Sequence, residues 1–194
     1  MGVHVYESTD LCNLLMMSVA LLLLYKKNWP LLATILFISI TNRETPAFLL
    51  IPVFILWRKE KFPITYLLLC AVAVALPYFL LRYLIHPPQP AWFLTTFLNE
   101  NIPFYEPGKL SVVFHGYLKF FLFIGPAVLL SLIGFKNKNE FLKVILWIVP
   151  FFIPVHFIVG HVEEYRMWMP LFLFLIPAGL LTLDTREIND AQFR

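Results

Sequence analysis

Two short charged stretches stand out in a largely apolar chain: Thr41-Asn42-Arg43-Glu44-Thr45-Pro46 and His161-Val162-Glu163-Glu164-Tyr165-Arg166. Leu31–Ile40 and Ala47–Trp57 flank the first, so an arginine and a glutamate stand where hydrocarbon would surround them. An arginine at membrane depth costs about 2.5–3.5 kcal/mol even on the mild insertion scale, and such residues face a protein interior or a wet cavity. A guanidinium is a flat, permanently charged fork that takes phosphate bidentately. Arg43 with Glu44, and Arg166, are therefore candidate binding residues for a phosphate or pyrophosphate group. Glu163 sits three residues before Arg166 and can pair with it on one helix face. His161 and Glu164 complete that turn as secondary candidates. Two carboxylates near the start, Glu7 and Asp10, are the candidates for a catalytic base.

Each of these has a plainer reading. Both charged turns could be solvated loop ends, with Arg166 snorkelling to the interface. His156 lies inside an apolar run and reads as a satisfied helix-contact residue. His86, His115 and His161 lack close ligand spacing such as H-x-x-x-H, so no metal is expected, and no cofactor. Cys12 and Cys70 both fall in apolar runs, which argues against a disulfide framework. No phosphate-binding glycine loop, nucleophile elbow or Cys-x-x-Cys pair is present.

The elements that must hold these residues follow from composition. The chain has 194 residues, 60% hydrophobic and only 14% charged. A soluble domain carries roughly a quarter charged residues. The expectation is an all-α, polytopic transmembrane helical bundle, forming a single domain over 1–194. Its formal charge of +3 is no nucleic-acid signature, because the basic residues cluster at the ends of apolar runs. No cleavable signal peptide is evident, since Met1–Asp10 is polar and lacks a basic start.

About seven apolar segments can be marked. Leu11–Tyr25 ends at Lys26-Lys27-Asn28. Trp29–Trp57 is either one kinked crossing or a hairpin of two short helices. One crossing would put its two basic flanks on opposite sides of the membrane, against the positive-inside rule, so the hairpin is preferred. In it Asn42 suits a left-handed position, Thr45 a cap and Pro46 a first helical turn. Ile64–Ile85 is long enough to cross alone, with Pro77 as a kink. His86–Leu110 is a proline-rich connection in which Ala91–Asn99 could form a short amphipathic helix. Ser111–Phe135, broken at Gly125-Pro126, then Leu142–Val159 and Met167–Leu183 are the last spans, before a polar tail at Asp184–Arg194. With the basic loops and the tail cytoplasmic, ten of the fifteen Lys and Arg lie inside and five outside. That bias places both charged turns on the extracytoplasmic side.

The pattern resembles the integral-membrane glycosyltransferases of the GT-C class, which use polyprenyl-phosphate-linked sugars. Their later spans often read as an acidic residue, a short apolar helix, a basic turn, a second short helix, and Arg-Glu-Thr opening a third. Here that looks like Asp10, Leu11–Tyr25, Lys26-Lys27, Leu31–Ile40, Arg43-Glu44-Thr45 and Pro46–Trp57. Glu164-Tyr165-Arg166-Met167-Trp168-Met169-Pro170 looks like their late Tyr-Arg turn before a proline-containing helix. The resemblance implies substrate-binding or positioning roles for Arg43, Glu44, Tyr165 and Arg166. It also implies that this is the C-terminal portion of such an architecture, because the acidic first loop of that class is absent. A protein partner could supply that missing part.

Three functions are thus in play. One is hexosyl or pentosyl transfer from a polyprenyl-phosphate sugar, with an outward-facing cavity for that lipid. A second is a non-catalytic membrane subunit or scaffold packing against a partner. The third, a small transporter, is disfavoured because no inverted repeat is visible. Membrane lipids are partners in all three. The first adds a geometric expectation: Arg43–Glu44 and Glu163–Arg166 line one cavity, with Glu44 against Arg166 or Arg43 against Glu163.

Overall fold

A computed structural model describes the backbone of residues 3–81, 110–159 and 165–192, and the side chains of 10–81, 114–158 and 167–180. All regular structure among these residues is helical. In chain order the helices are α1 (Val3–Tyr25), α2 (Trp29–Asn42), α3 (Leu50–Glu60), α4 (Ile64–Leu80), α5 (Leu110–Leu132), α6 (Glu140–Leu146), α7 (Val149–Val159) and α8 (Tyr165–Gln192). Tighter 3-10 turns occupy Thr45–Leu49 and Phe135–Asn137. The chain divides into two compact units, Met1–Gln89 and Pro90–Arg194. The Ala91–Asn99 segment and most of the proline-rich connection lie outside the described residues.

The expectation of an all-α transmembrane bundle with about seven apolar segments is met in part: the described residues are helical, but few of the apolar segments are of crossing length. Among the described residues, two stretches are long and apolar enough to cross a membrane, Phe114–Leu132 and Glu140–Ile158, each of 19 residues. The other apolar helices, Asp10–Tyr25, Trp29–Asn42, Ile64–Leu80 and Met167–Leu180, are shorter. At 1.5 Å per residue none of them exceeds about 26 Å, against roughly 30 Å of hydrocarbon. The physical reason for α1 and α2 is that the turns at Lys26–Asn28 and Arg43–Leu49 end their apolar runs early.

In that unit α2 is the central helix, packing on α1 and on α4. Its buried face is Trp29, Leu32, Ala33, Leu36, Ser39 and Ile40, the i, i+3, i+4, i+7 stripe of a core-facing helix. Asn28 starts it by accepting a hydrogen bond from the Leu31 backbone N–H, and Pro30 occupies the first turn, where its missing N–H costs nothing. The chain then doubles back. Lys27, before α2, forms a 2.7 Å ion pair with Glu60, at the end of α3. Trp29 stacks on Phe62 at 4.2 Å between centroids and faces Tyr66 at 6.3 Å. A single crossing from Trp29 to Trp57 would hold Lys27 and Glu60 far apart, so α2 and α3 form a hairpin.

Its turn differs from the expected one. Asn42 stays helical, and the chain breaks instead at Arg43, which is fully extended (φ −152°, ψ 153°). Thr45 opens the 3-10 turn and does not cap it; Glu44 stands before it, and Pro46 takes the early position. An extended residue followed by 3-10 geometry reverses direction without any left-handed residue. The left-handed positions fall on Lys27 (φ 56°) and Lys61 (φ 51°), which end α1 and α3 where glycine is the usual choice.

The second unit packs α5 against α8. Gly179 lies at this contact, where an added Cβ would meet the Leu130 Cβ at 3.4 Å, an ordinary van der Waals distance. Helix α5 runs through Gly125-Pro126 without the expected break, since one proline inside a 23-residue helix removes a single ladder bond. Proline does interrupt the next segment. Pro150 follows a break at Trp147–Ile148, where the N–H groups of Trp147 and Ile148 bond three residues back, to Val144 and Ile145. Helix α8 passes Leu183 and continues to Gln192, because nothing in Asp184–Gln192 is a glycine or proline that would stop it. Between α5 and α6, the buried Lys138 donates from Nζ to the Ala178 carbonyl at 2.5 Å. Loss of water around this ammonium lowers its pKa from the ordinary lysine value.

Both units leave large apolar side chains outside. On α5 alone, Phe114, Phe121, Leu122 and Leu129 are each more than 60% exposed, and only 22% of Phe114–Leu132 is buried. Monomers in water rarely expose apolar faces of that extent.

Candidate functional site

The first unit brings two of the sequence candidates together. Asp10 and Arg43 form an ion pair through Oδ1 and a guanidinium nitrogen, with the two side chains 19% and 29% exposed. The contact follows from the α1–α2 turn. Asp10 lies about fifteen residues before Lys26-Lys27-Asn28, and Arg43 about fifteen after it. Two antiparallel helices leaving one turn at 1.5 Å per residue put such positions level. The break at Arg43 then frees its side chain from the helix, while its own N–H still closes α2 by donating to the Ser39 carbonyl at 3.0 Å.

The neighbourhood of this pair is polar on one side only. Asn13, three residues after Asp10 and so on the same face of α1, is 3% exposed, and its amide oxygen has no hydrogen-bond partner among the described residues. A buried acceptor left unsatisfied costs about 1–3 kcal/mol. The stripe continues with Met17, Ala20 and Leu24, all fully buried. Opposite them, Ser39 turns its hydroxyl inward to the Ile35 carbonyl at 2.6 Å, and so offers no donor proton to the corner. Glu44 is exposed next to Arg43. Asn13 went unnoticed in the sequence because one asparagine in a leucine-rich run looks incidental. Its spacing from Asp10 was the available signal.

The side chains of most other candidates lie outside the described residues. Arg43 meets Asp10, which the α1–α2 hairpin delivers; the expected pairings, Arg43 with Glu163 or Glu44 with Arg166, involve side chains outside the described residues. Glu7 lies on α1 with its side chain outside the described residues. His161, Glu163 and Glu164 lie outside them altogether. Tyr165 and Arg166 open α8, and only their backbone is described, so a shared cavity of the two charged turns also falls outside. His156 is indeed a helix-contact residue: its Nδ1 lies 2.9 Å from the Phe152 carbonyl, and the ring stacks on Phe152 at 3.8 Å. Among the described residues no three His, Cys, Asp or Glu side chains converge on a metal-sized space.

Chemically, the corner holds one cation, one carboxylate and one buried amide at the end of an apolar hairpin. It could take an anion on the guanidinium, a donor on the amide oxygen and a proton on the carboxylate. No protein-family model, no curated protein and no solved structure matches this chain.

Proposed function

We propose that the chain is a multi-pass membrane protein whose first unit receives the phosphate of a polyprenyl-phosphate-linked sugar at Arg43, as part of a glycosyl-transfer site. The observation that carries this reading is the Asp10–Arg43 pair, a base and an anion receptor in contact on an otherwise apolar hairpin. The phosphate would displace Asp10 from the guanidinium, since a bidentate phosphate is at least as good a partner as a carboxylate. Asp10, released, would take the proton of the acceptor hydroxyl as its oxygen bonds to the anomeric carbon. The sugar–phosphate C–O bond breaks at the same time, and its electron pair leaves on the phosphate, where Arg43 offsets the charge. Glu44, Tyr165 and Arg166 remain proposed contacts of that lipid by resemblance.

Binding tests this directly. The reconstituted chain should prefer a polyprenyl phosphate to the uncharged polyprenol. Arg43→Ala should lose that preference by about 10- to 100-fold, the effect of one charge-assisted hydrogen-bond pair. Arg43→Lys should fall between, since it keeps charge and loses the fork. Equal binding of the two lipids by the wild type rejects the reading.

The same proposal carries a sidedness, with basic loops and tail cytoplasmic and the Arg43 corner extracytoplasmic. Single cysteines at Asn28 and Glu60 should react with an impermeant maleimide only when the cytoplasmic face is open. Reaction from the outside at either position inverts the orientation.

A second reading is a non-catalytic subunit. It is favoured by Asp10 already neutralising Arg43, and by the exposed Leu11, Leu15 and Leu22 on α1, a face that a partner helix could cover as well as lipid.

A further inference from the structure

The second unit holds a feature that the reading above does not use. A cleft of about 320 Å³ opens between the end of α5 and the α6–α7 break, lined by Val128, Ser131, Leu132, Phe135, Trp147 and Pro150, among others. Its size is at the low end of small-molecule sites, which run from about 300 to 1,000 Å³. Its surface is wholly apolar. Ser131, the one hydroxyl in the lining, is 1% exposed and spends its proton on the Val128 carbonyl at 2.7 Å. Nothing inside the cleft can hydrogen-bond a polar ligand, so the occupant must be a hydrocarbon.

What surrounds the cleft is charged. The connection Phe135–Lys143 carries three lysines and one glutamate. Phe135 lines the cleft, and Lys136 follows it directly on the 3-10 turn, exposed and without an ion-pair partner among the described residues. Lys143 lies three and four residues before the cleft residues Leu146 and Trp147, one turn back on the same face of the segment. It holds Glu140 at 3.0 Å. Lys138 is turned inward onto Ala178 and does not compete for an external anion. A dry slot beside a net basic turn, with an exposed tryptophan between them, matches a lipid with a hydrocarbon tail and a negative head. Tryptophan is at home at that boundary, and basic clusters at the ends of membrane helices attract anionic headgroups.

We infer that the cleft between α5 and the α6–α7 break holds one acyl chain of an anionic phospholipid, whose headgroup lies on Lys136 and Lys143. Pro150 creates the site. By preventing α6 and α7 from joining as one regular helix, it opens the space at Trp147 into which the chain fits. The inference rests on the membrane part of the proposed function and is independent of the Arg43 corner.

The test is native mass spectrometry of the full chain released from nanodiscs of mixed phosphatidylglycerol and phosphatidylcholine. The wild type should retain phosphatidylglycerol over phosphatidylcholine by about fivefold or more, the effect of about one surface lysine on an anionic lipid. Lys136→Glu, on an exposed turn outside the core, should abolish the preference while leaving retention of phosphatidylcholine unchanged. Leu132→Trp, which fills the cleft from an already exposed position, should reduce retention of both lipids. Equal retention of the two lipids by the wild type, or an unchanged preference in Lys136→Glu, overturns the headgroup contact. Undiminished retention by Leu132→Trp overturns the cleft as the seat of the chain. A protein that does not enter nanodiscs overturns the membrane reading and this inference with it. Insertion without lipid preference overturns only the inference.

Discussion

Trp168→Ala should destabilise the second unit by about 3–5 kcal/mol, the range for truncating a fully buried large aromatic. Trp168 is 1% exposed and among the largest buried side chains described. Its indole meets Phe120 of α5 edge-on at 4.6 Å, and Phe157, His156 and Phe152 of α7 at 6.2, 5.7 and 6.3 Å. Three helices therefore converge on one ring. Removing it loses dispersion contacts on all sides, and the rings around it are held by other partners, so they cannot collapse into the space: Phe157 stacks on Tyr117 at 5.6 Å and Phe152 on His156 at 3.8 Å. Trp168→Phe should recover more than half of the loss, because a smaller ring keeps the contact with Phe120. Detergent-solubilised protein, unfolded by heat or denaturant and followed by circular dichroism, gives the comparison. A cost below about 1 kcal/mol for the alanine variant would mean that the cluster is looser than these distances require.

The resemblance drawn from the sequence gave Trp168 no part to play, although Glu164–Pro170 was one of its motifs. What it offered was a Tyr-Arg turn followed by a proline-containing helix. The tryptophan inside that motif turns out to be the anchor of the unit. Nothing in its spacing announces this, because Met167–Leu183 is apolar on every side and a stretch of that kind shows no stripe to say which residue is innermost. The same uniformity hid how many runs could cross a membrane. Hydrophobicity marked the apolar segments well, but their ends are set by turns. The extended Arg43 cuts Trp29–Trp57 in half, and Pro150 cuts the segment after Lys138, whereas Gly125-Pro126 cuts nothing. Proline's effect depends on whether packing holds the helix around it, which a single sequence does not display. The hairpin was legible, because charge placement alone separated it from one long crossing. The Asp10–Arg43 contact was legible too, from the equal distances of both residues to the Lys26–Asn28 turn, but only once α1 and α2 are known to be antiparallel neighbours.

That pair also gives the sharpest test of whether the corner is a site or a clasp. Its two side chains are less than a third exposed, so deleting one partner leaves the other largely out of water. Arg43→Met should cost about 2–3 kcal/mol, since a mostly buried carboxylate then loses its guanidinium, and Asp10→Asn a comparable amount because the guanidinium loses its carboxylate. The double variant should lose clearly less than the sum, with a coupling of about 1–2 kcal/mol, because neither charge is left behind. Stability alone would fit a purely structural clasp, so binding must be read in the same cycle. If Arg43 receives a phosphate, Asp10 competes with the ligand for one guanidinium. Asp10→Asn then removes the competitor, and affinity for a polyprenyl phosphate should rise, by about fivefold or more, even as the protein becomes less stable. Transfer to an acceptor should disappear in the same variant, because an amide cannot take the hydroxyl proton. Arg43→Met should lose both affinity and stability. A clasp predicts the opposite pattern: lipid affinity indifferent to Asp10→Asn, or falling in step with stability for both single variants. Tighter binding in a destabilised Asp10→Asn protein is an outcome that no structural role produces.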